Sequence, residues 1–176
     1  MEYPFWLIQG LGGLAALVNC TCFLLKRRDR IVGGQMLSAI LWALHFGLLG
    51  AQTAVVMNAL GFARQGVFAL REHAKWAQSS RWLVFFCLAF TIGGLLSWES
   101  WVSLLPILGM LIGTIGMWVI NTKHLRLINM IPPPLWFLHN YLHFSIGGML
   151  SDSIIFFSLI AGYLIHETTL FSRLKS

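Results

Sequence analysis

Two short stretches of the sequence decide the fold: Leu41-Trp42-Ala43-Leu44-His45 and Leu135-Trp136-Phe137-Leu138-His139. Four of their five residues are identical, at an offset of 94 positions. The same offset aligns further pairs without a gap: Asn58 with Asp152, Phe62 with Phe156, and Leu70 with Leu164. Because the match extends beyond the two stretches and includes polar residues, it predicts two copies of one structural unit.

The composition around these stretches is that of a membrane protein. The chain has 176 residues, of which 57% are hydrophobic and 10% charged, and its mean hydropathy is +0.75. Soluble domains contain about 25% charged residues. A helix needs about 20 apolar residues to cross a bilayer, and nearly the whole chain consists of such stretches. We therefore predict an all-α membrane protein with a single membrane domain over residues 1–176.

Apolar runs and their polar interruptions predict seven transmembrane helices. We place them at residues 3–25, 31–50, 53–70, 82–97, 101–120, 125–144 and 149–166. Residues 3–71 would form the first three-helix repeat and residues 99–166 the second. A loop and linker helix, residues 72–98, join them, and residues 167–176 form a tail. Since one linker helix keeps both repeats in the same orientation, this 3+1+3 plan is the parallel type of transporter repeat, with its site where the units meet.

The basic residues predict the orientation of the chain. The net charge is +6. Apart from Arg64, the Lys and Arg residues lie at alternate loops and in the tail: Lys26, Arg27, Arg28, Arg30, Arg71, Lys75, Arg81, Lys123, Arg126, Arg173 and Lys175. Cytoplasmic loops are rich in Lys and Arg, so we expect an external N-terminus and a cytoplasmic tail. Because these charges lie at helix ends and not in one patch, no nucleic-acid partner is expected.

Polar residues within the helices are the best indication of a site, because each is costly in a bilayer unless it meets a partner or water. In each repeat a histidine follows a tryptophan by three residues, on the same helix face, and Asn or Asp follows the tryptophan by 16. An alternative is that each histidine ties two helices together by a hydrogen bond. As a site, six residues predict one shared, outward-opening cavity: Trp42, Asn58, Trp136, Asp152, His45 and His139.

Three further polar residues are secondary candidates: Arg64, Asn140 and His143. Arg64 lies six residues from Asn58, about 120° around the helix, and is expected to snorkel to the cytoplasmic surface or form a structural bond. Pairing with an anionic group inside is the alternative. His139 and His143 are four residues apart, but a structural zinc needs four ligands. No metal, disulfide or cofactor is expected, since the three cysteines also lie within apolar segments.

Three consecutive prolines, Pro132-Pro133-Pro134, lie near the start of the predicted sixth helix. Each removes a backbone hydrogen-bond donor, so they must unwind or bend that helix. A gate and a fixed kink are both compatible with this pattern.

The paired units resemble the PQ-loop superfamily, which includes the SWEET and SemiSWEET sugar transporters. In those proteins a tryptophan on the second helix of each unit and an asparagine on the third line the central cavity. The resemblance implies this role for Trp42 and Asn58, and for Trp136 and Asp152. The Pro-Gln pair that names the superfamily is absent from both first helices, although Pro106 lies in the fifth helix.

Within that superfamily, the chain is most similar to the YgjV-type bacterial inner-membrane proteins. The motifs that carry this resemblance are His45-Phe46-Gly47-Leu48-Leu49-Gly50, Asn58-Ala59, Leu105-Pro106-Ile107-Leu108-Gly109, His139-Asn140 and Ser145-Ile146-Gly147-Gly148. The resemblance implies a multi-pass protein of the bacterial inner membrane, with a periplasmic N-terminus. It implies fold and location more than activity.

These observations predict a small-molecule transporter in which the two units rock about the cavity. Indole faces suit a sugar-like or other small polar solute, and Asp152 would favour a cation or a coupled proton. The main alternative is an accessory or interaction protein without a transport cycle. A membrane enzyme is less favoured, since no nucleophile has a base at catalytic spacing. The expected partners are the solute and the lipid bilayer, and any oligomeric partner is left open.

Reporter fusions test the predicted orientation. A reporter that is active only in the cytoplasm should be active after Ser176 and within the loop 71–81, because both segments are basic. The same reporter inserted between Trp98 and Ser100 should be inactive, since that loop carries no Lys or Arg. An external C-terminus or an external 71–81 loop would overturn both the orientation and the parallel repeat.

Overall fold

The structure, a computed structural model, describes residues 4–22, 28–119 and 121–167, and the regular elements in those ranges are all helical. In chain order they are α1 Phe5–Cys22, α2 Arg28–Leu48, α3 Gln52–Ala69, α4 Arg81–Leu96, α5 Leu104–Trp118, α6 Thr122–Asn129, α7 Pro132–Leu142 and α8 Ile146–Glu167. Short 3-10 turns at Leu70–Glu72 and Lys75–Gln78 precede α4, and another at Trp101–Ser103 leads into α5. The predicted all-α class is confirmed.

Six of the seven predicted helices each correspond to one observed helix. Their ends differ from the predicted ends by one to three residues. Several predicted features lie outside the described residues: position 3, positions 23–25 and 120, the loop residues Lys26 and Arg27, and the tail beyond Glu167.

The prediction of one helix over residues 125–144 is wrong, because the structure divides this segment into α6 and α7. Met130 and Ile131 form the break between them. Pro132 and its neighbour Pro133 occupy the first turn of α7, where backbone N–H groups have no intrahelical partner in any case. The prolines therefore end the preceding helix and begin a new one, instead of bending a continuous helix.

The turn between α2 and α3 and the turn between α7 and α8 have the same construction. Gly50 has a φ of 75° and Phe144 a φ of 55°. The Ala51 amide donates to the Phe46 carbonyl at 2.9 Å, and the Ser145 amide donates to the Asn140 carbonyl at 2.8 Å. The three residues of the second turn, Asn140, Phe144 and Ser145, each lie 94 positions after their counterparts in the first turn, Phe46, Gly50 and Ala51.

The expectation of a longer second turn, extending to Gly148, is wrong. Gly147 and Gly148 belong to the first turn of α8, where they permit close packing. A Cβ at Gly147 would lie 2.6 Å from the backbone carbonyl carbon of Gly12 in α1, and a Cβ at Gly148 would overlap the Asn140 amide group. Both glycines are therefore explained by helix contact and not by the turn.

The helices pack around an aromatic interior. α1 contacts α2 and α8, α7 contacts α5 and α8, and α3 contacts α2, α4 and α5. One apolar cluster surrounds two aromatic residues of α2 with small side chains: Ala15, Ala16, Trp42, Phe46, Ala51 and Ala54. A second cluster lies among α3, α4 and α5: Met57, Phe68, Phe86, Phe90 and Ile107.

The outer surface is apolar, as expected for contact with lipid. Five large side chains on α4 and α8 are each more than half exposed: Val84, Leu88, Leu95, Leu150 and Phe157. Two helical stretches, Trp101–Trp118 and Ile146–Leu164, are long and apolar enough to cross a membrane on length and composition alone. Phe5–Thr21 and Arg81–Leu96 are shorter apolar helices.

Candidate functional site

A cavity of about 240 Å³ lies among α1, α2, α3, α5, α7 and α8. Trp42, Asn58, Trp136 and Asp152 all line it, so the structure brings together four residues that are far apart in the sequence. This volume is more than ten times the roughly 10–15 Å³ that a single water molecule needs. The cavity is therefore large enough for a small solute, and the role of these residues in binding one stays a prediction.

Aromatic rings form one wall of the cavity. The Trp42 ring stacks on Phe46 with centroids 5.6 Å apart, and Phe46 lies 5.9 Å from the Trp136 ring. Phe46 thus bridges the two tryptophans and itself lines the cavity. Phe46 was not among the residues predicted from the sequence, although its position four residues after Trp42 places it on the same helix face.

Asp152 takes its hydrogen bond from Asn140, whose amide nitrogen donates to the carboxylate at 2.7 Å. From the sequence, each histidine could tie two helices together by a hydrogen bond, but the structure pairs Asp152 with Asn140 and not with His139. An ionised carboxylate only accepts hydrogen bonds, so in that form the amide nitrogen faces it and the Asn140 carbonyl oxygen is directed elsewhere. Asn140 is buried and lines the cavity, so a secondary candidate becomes part of the central site.

His45 joins three segments and does not line the cavity. Its Nδ1 lies 2.9 Å from the Ile8 carbonyl oxygen of α1, and its Nε2 lies 2.7 Å from the Ser145 hydroxyl. A carbonyl can only accept, so Nδ1 carries the proton and Nε2 accepts from Ser145. Gly12 stands against the imidazole, where a Cβ would lie 2.6 Å from its Cε1. The hydrogen-bond tie therefore describes this histidine better than a cavity rim.

His139 is also fully buried and lies behind the aromatic wall. Its ring contacts Phe46 at 5.5 Å, Trp136 at 5.6 Å and His143 at 4.5 Å between centroids. The structure does not place His139 or His143 among the residues that line the cavity. Among the described residues, no cluster of three or more His, Cys, Asp or Glu side chains could hold a metal ion.

Arg64 lies inside the protein and lines the same cavity as Asn58. Only 6% of its surface is exposed, so the snorkelling prediction is wrong. The expected structural bond is present, since Nη1 donates to the Thr114 hydroxyl of α5 at 2.7 Å. The sequence placed Arg64 on a different helix face from Asn58, but its long side chain reaches the cavity from that face.

Several polar groups around the cavity lack hydrogen-bond partners within the described part of the chain. They are Nε of Arg64, Oε1 of Gln65 and Oδ1 of Asn140. Buried polar groups are normally paired with protein or with ordered water. These three atoms are buried in the cavity wall, so they can bind water or a solute once their side chains turn towards the cavity. Gln65 was missed from sequence, although it lies seven residues after Asn58 and hence on the same face.

The comparisons with known proteins agree with the helical, apolar character of the chain. The family model Imp-YgjV, described as "Bacterial inner membrane protein", matches residues 6–169. The "Inner membrane protein YgjV" of Escherichia coli (strain K12) is 27% identical over 151 residues, which cover 84% of this chain and 78% of that protein. No solved structure matches the chain.

Ser145→Ala should destabilise the protein, because it leaves the buried Nε2 of His45 without a partner. An unpaired buried group costs about 1–3 kcal/mol. Thermal unfolding of the purified protein measures the change, and Ser158→Ala is the matched control, since Ser158 is an exposed serine on α8, the helix that follows Ser145. Equal unfolding temperatures for both variants and the unaltered protein would contradict the tie.

Proposed function

This chain belongs to the Imp-YgjV family of bacterial inner membrane proteins, and we propose that it transports a small polar solute across that membrane. The observation that carries the proposal is the cavity among six helices, lined by Trp42, Asn58, Trp136 and Asp152. Unpaired polar groups beside aromatic faces are what a pocket for a polar solute requires, because the solute supplies the missing partners.

An internal repeat supports a transporter plan of two parallel three-helix units joined by α4. The ring centroids of Trp42 and His45 lie 5.5 Å apart, with an angle of 77° between the ring planes. For their counterparts, Trp136 and His139, the distance is 5.6 Å and the angle 73°. The first helix of each unit contacts the third helix of the other, through α1 with α8 and α5 with α3. A twofold axis along the membrane normal would produce this reciprocal contact. The equal construction of the two turns supports the same plan.

The position of the cavity suggests to which side of the membrane it opens. Its lining runs from Phe46 along α2 to Gln35 and along α3 to Gln65, towards the ends of these helices that meet the basic loops. At the opposite end, His45 connects α1, α2 and the turn at Ser145. With the basic loops in the cytoplasm, this tie closes the periplasmic side, so the proposed opening faces inward and not outward as the sequence had predicted. Rocking of the two units would then break the bond between His45 and Ser145.

Cysteine labelling tests whether the cavity is accessible to water. In a background with Cys20, Cys22 and Cys87 changed to serine, Asn58→Cys should react with a small membrane-impermeant thiol reagent. Met57→Cys is the matched control, because Met57 is fully buried in the second apolar cluster one residue away, and it should stay unlabelled. An unreactive cysteine at position 58 would favour the accessory protein that has no transport cycle.

Asp152→Asn tests whether Asp152 binds a coupled proton. The variant should keep its fold, because the asparagine carbonyl can still accept the hydrogen bond from Asn140. In liposomes, for a solute found by screening small polar compounds, it should lose accumulation driven by a pH gradient but retain exchange at equal pH. Ser151→Ala, a neutral change in the same cavity wall, should retain both activities. Gradient-driven accumulation by Asp152→Asn would contradict the coupling role.

A further inference from the structure

Arg64 is a buried cation with neutral partners. Its Nη1 donates to the Thr114 hydroxyl, which in turn donates to the Met110 carbonyl. The guanidinium carbon lies 5.5 Å from the centroid of the Phe90 ring, and Nε has no hydrogen-bond partner among the described residues. A guanidinium has five N–H donors and always carries its charge. Burial of a charge is costly unless a counter-ion or several polar groups accompany it.

The other charged residue of the cavity does not serve as this counter-ion. Asp152 accepts its hydrogen bond from Asn140, and in the described part of the chain no ion pair joins it to Arg64. Both residues line the cavity, so a solute in the cavity has access to Arg64. The missing counter-charge can therefore come from the solute itself.

The remaining unpaired groups of the cavity are acceptors. Gln65, whose Oε1 is unpaired, directly follows Arg64 in the sequence. In Asn140 the unpaired atom is the acceptor Oδ1, because the amide nitrogen faces Asp152. Both oxygens need hydrogen-bond donors. Hydroxyl groups meet this need and also tolerate contact with the indole faces of Trp42 and Trp136. One charged donor and two neutral acceptors thus lie in the cavity wall, and because each atom is buried there, a solute reaches them only when these side chains turn towards it.

We infer that the solute is a small hydroxylated organic acid whose anionic group binds Arg64 and whose hydroxyl groups bind Gln65 and Asn140. This inference rests on the proposed transport function and narrows its substrate class. A carboxylate is the suitable anion, because the guanidinium fork matches its two oxygens. Arg64 is then the residue that determines specificity for acids over neutral compounds of the same shape.

Three pyranose probes of similar size and different charge test the inference: D-glucuronate, D-glucose and D-glucosamine. Binding is measured on the purified full-length protein by quenching of tryptophan fluorescence, and uptake is measured in liposomes. The unaltered protein should bind glucuronate at least ten-fold more tightly than glucose, as expected for a hydrogen bond between charged groups. Equal binding of the acid and the neutral sugar, preference for the amine, or no binding of any probe would overturn the inference.

Substitutions at position 64 separate solute recognition from a structural role. Arg64→Gln should reduce the ratio of glucuronate to glucose affinity to near one while glucose still binds, and Arg64→Lys should keep a preference for the acid. Thr114→Val is the matched control, because it removes the bond to Arg64 but keeps the guanidinium. It should lower the unfolding temperature and leave the ratio unchanged. An unaltered ratio in Arg64→Gln, or an equal loss of the ratio in Thr114→Val, would contradict the assignment.

The outcomes distinguish this inference from the proposed function. Uptake of glucose without preference for the acid would refute the anion site and leave transport intact. Binding of glucuronate that depends on Arg64, without uptake, would keep the site and refute transport. If Arg64→Gln fails to fold, Arg64→Lys and the wild-type comparison of the three probes still decide the question.

Discussion

Polar groups within a bilayer must find their partners inside the protein, and this requirement governs the structure. The backbone meets it by forming helices. Several hydroxyl groups meet it by donating to the carbonyl four residues earlier, as Thr91 does to Cys87, Ser97 to Gly93 and Ser153 to Met149. His45 meets it by spanning from α1 to the turn before α8. The unpaired groups of Arg64, Gln65 and Asn140, around one cavity, depart from this pattern, and so does Nδ1 of His139 behind the aromatic wall.

The second constraint is space, because large side chains lie between helices that are close together. Gly12 on α1 makes room for the His45 ring, and Gly109 on α5 makes room for Trp136, whose Nε1 would lie 2.7 Å from an added Cβ. Small residues permit this close packing in membrane helices. The glycines of α1 and α5 thereby position the histidine tie and the aromatic wall, so residues that take no part in hydrogen bonding shape the cavity.

The sequence predicted the site better than it predicted the roles of the individual residues. Trp42, Asn58, Trp136 and Asp152 were chosen by their equal spacing in two aligned stretches, and they line one cavity because both helix pairs turn in the same way. Phe46 and Gln65 were missed, although helical spacing from Trp42 and Asn58 would have found them. The split of the sixth helix was also missed, since prolines indicate a break without saying whether the helix bends or restarts.

By itself, the sequence determined the helical class and, for six of the seven predicted helices, the positions to within a few residues. These properties depend on local hydropathy and on helical periodicity, which are read along the chain. Tertiary structure decided the hydrogen-bond partners: Asn140 for Asp152, Ile8 and Ser145 for His45, and Thr114 for Arg64. Partners depend on how far each helix is rotated and shifted against its neighbours, and close packing across helices sets those quantities, which no pattern within one helix specifies.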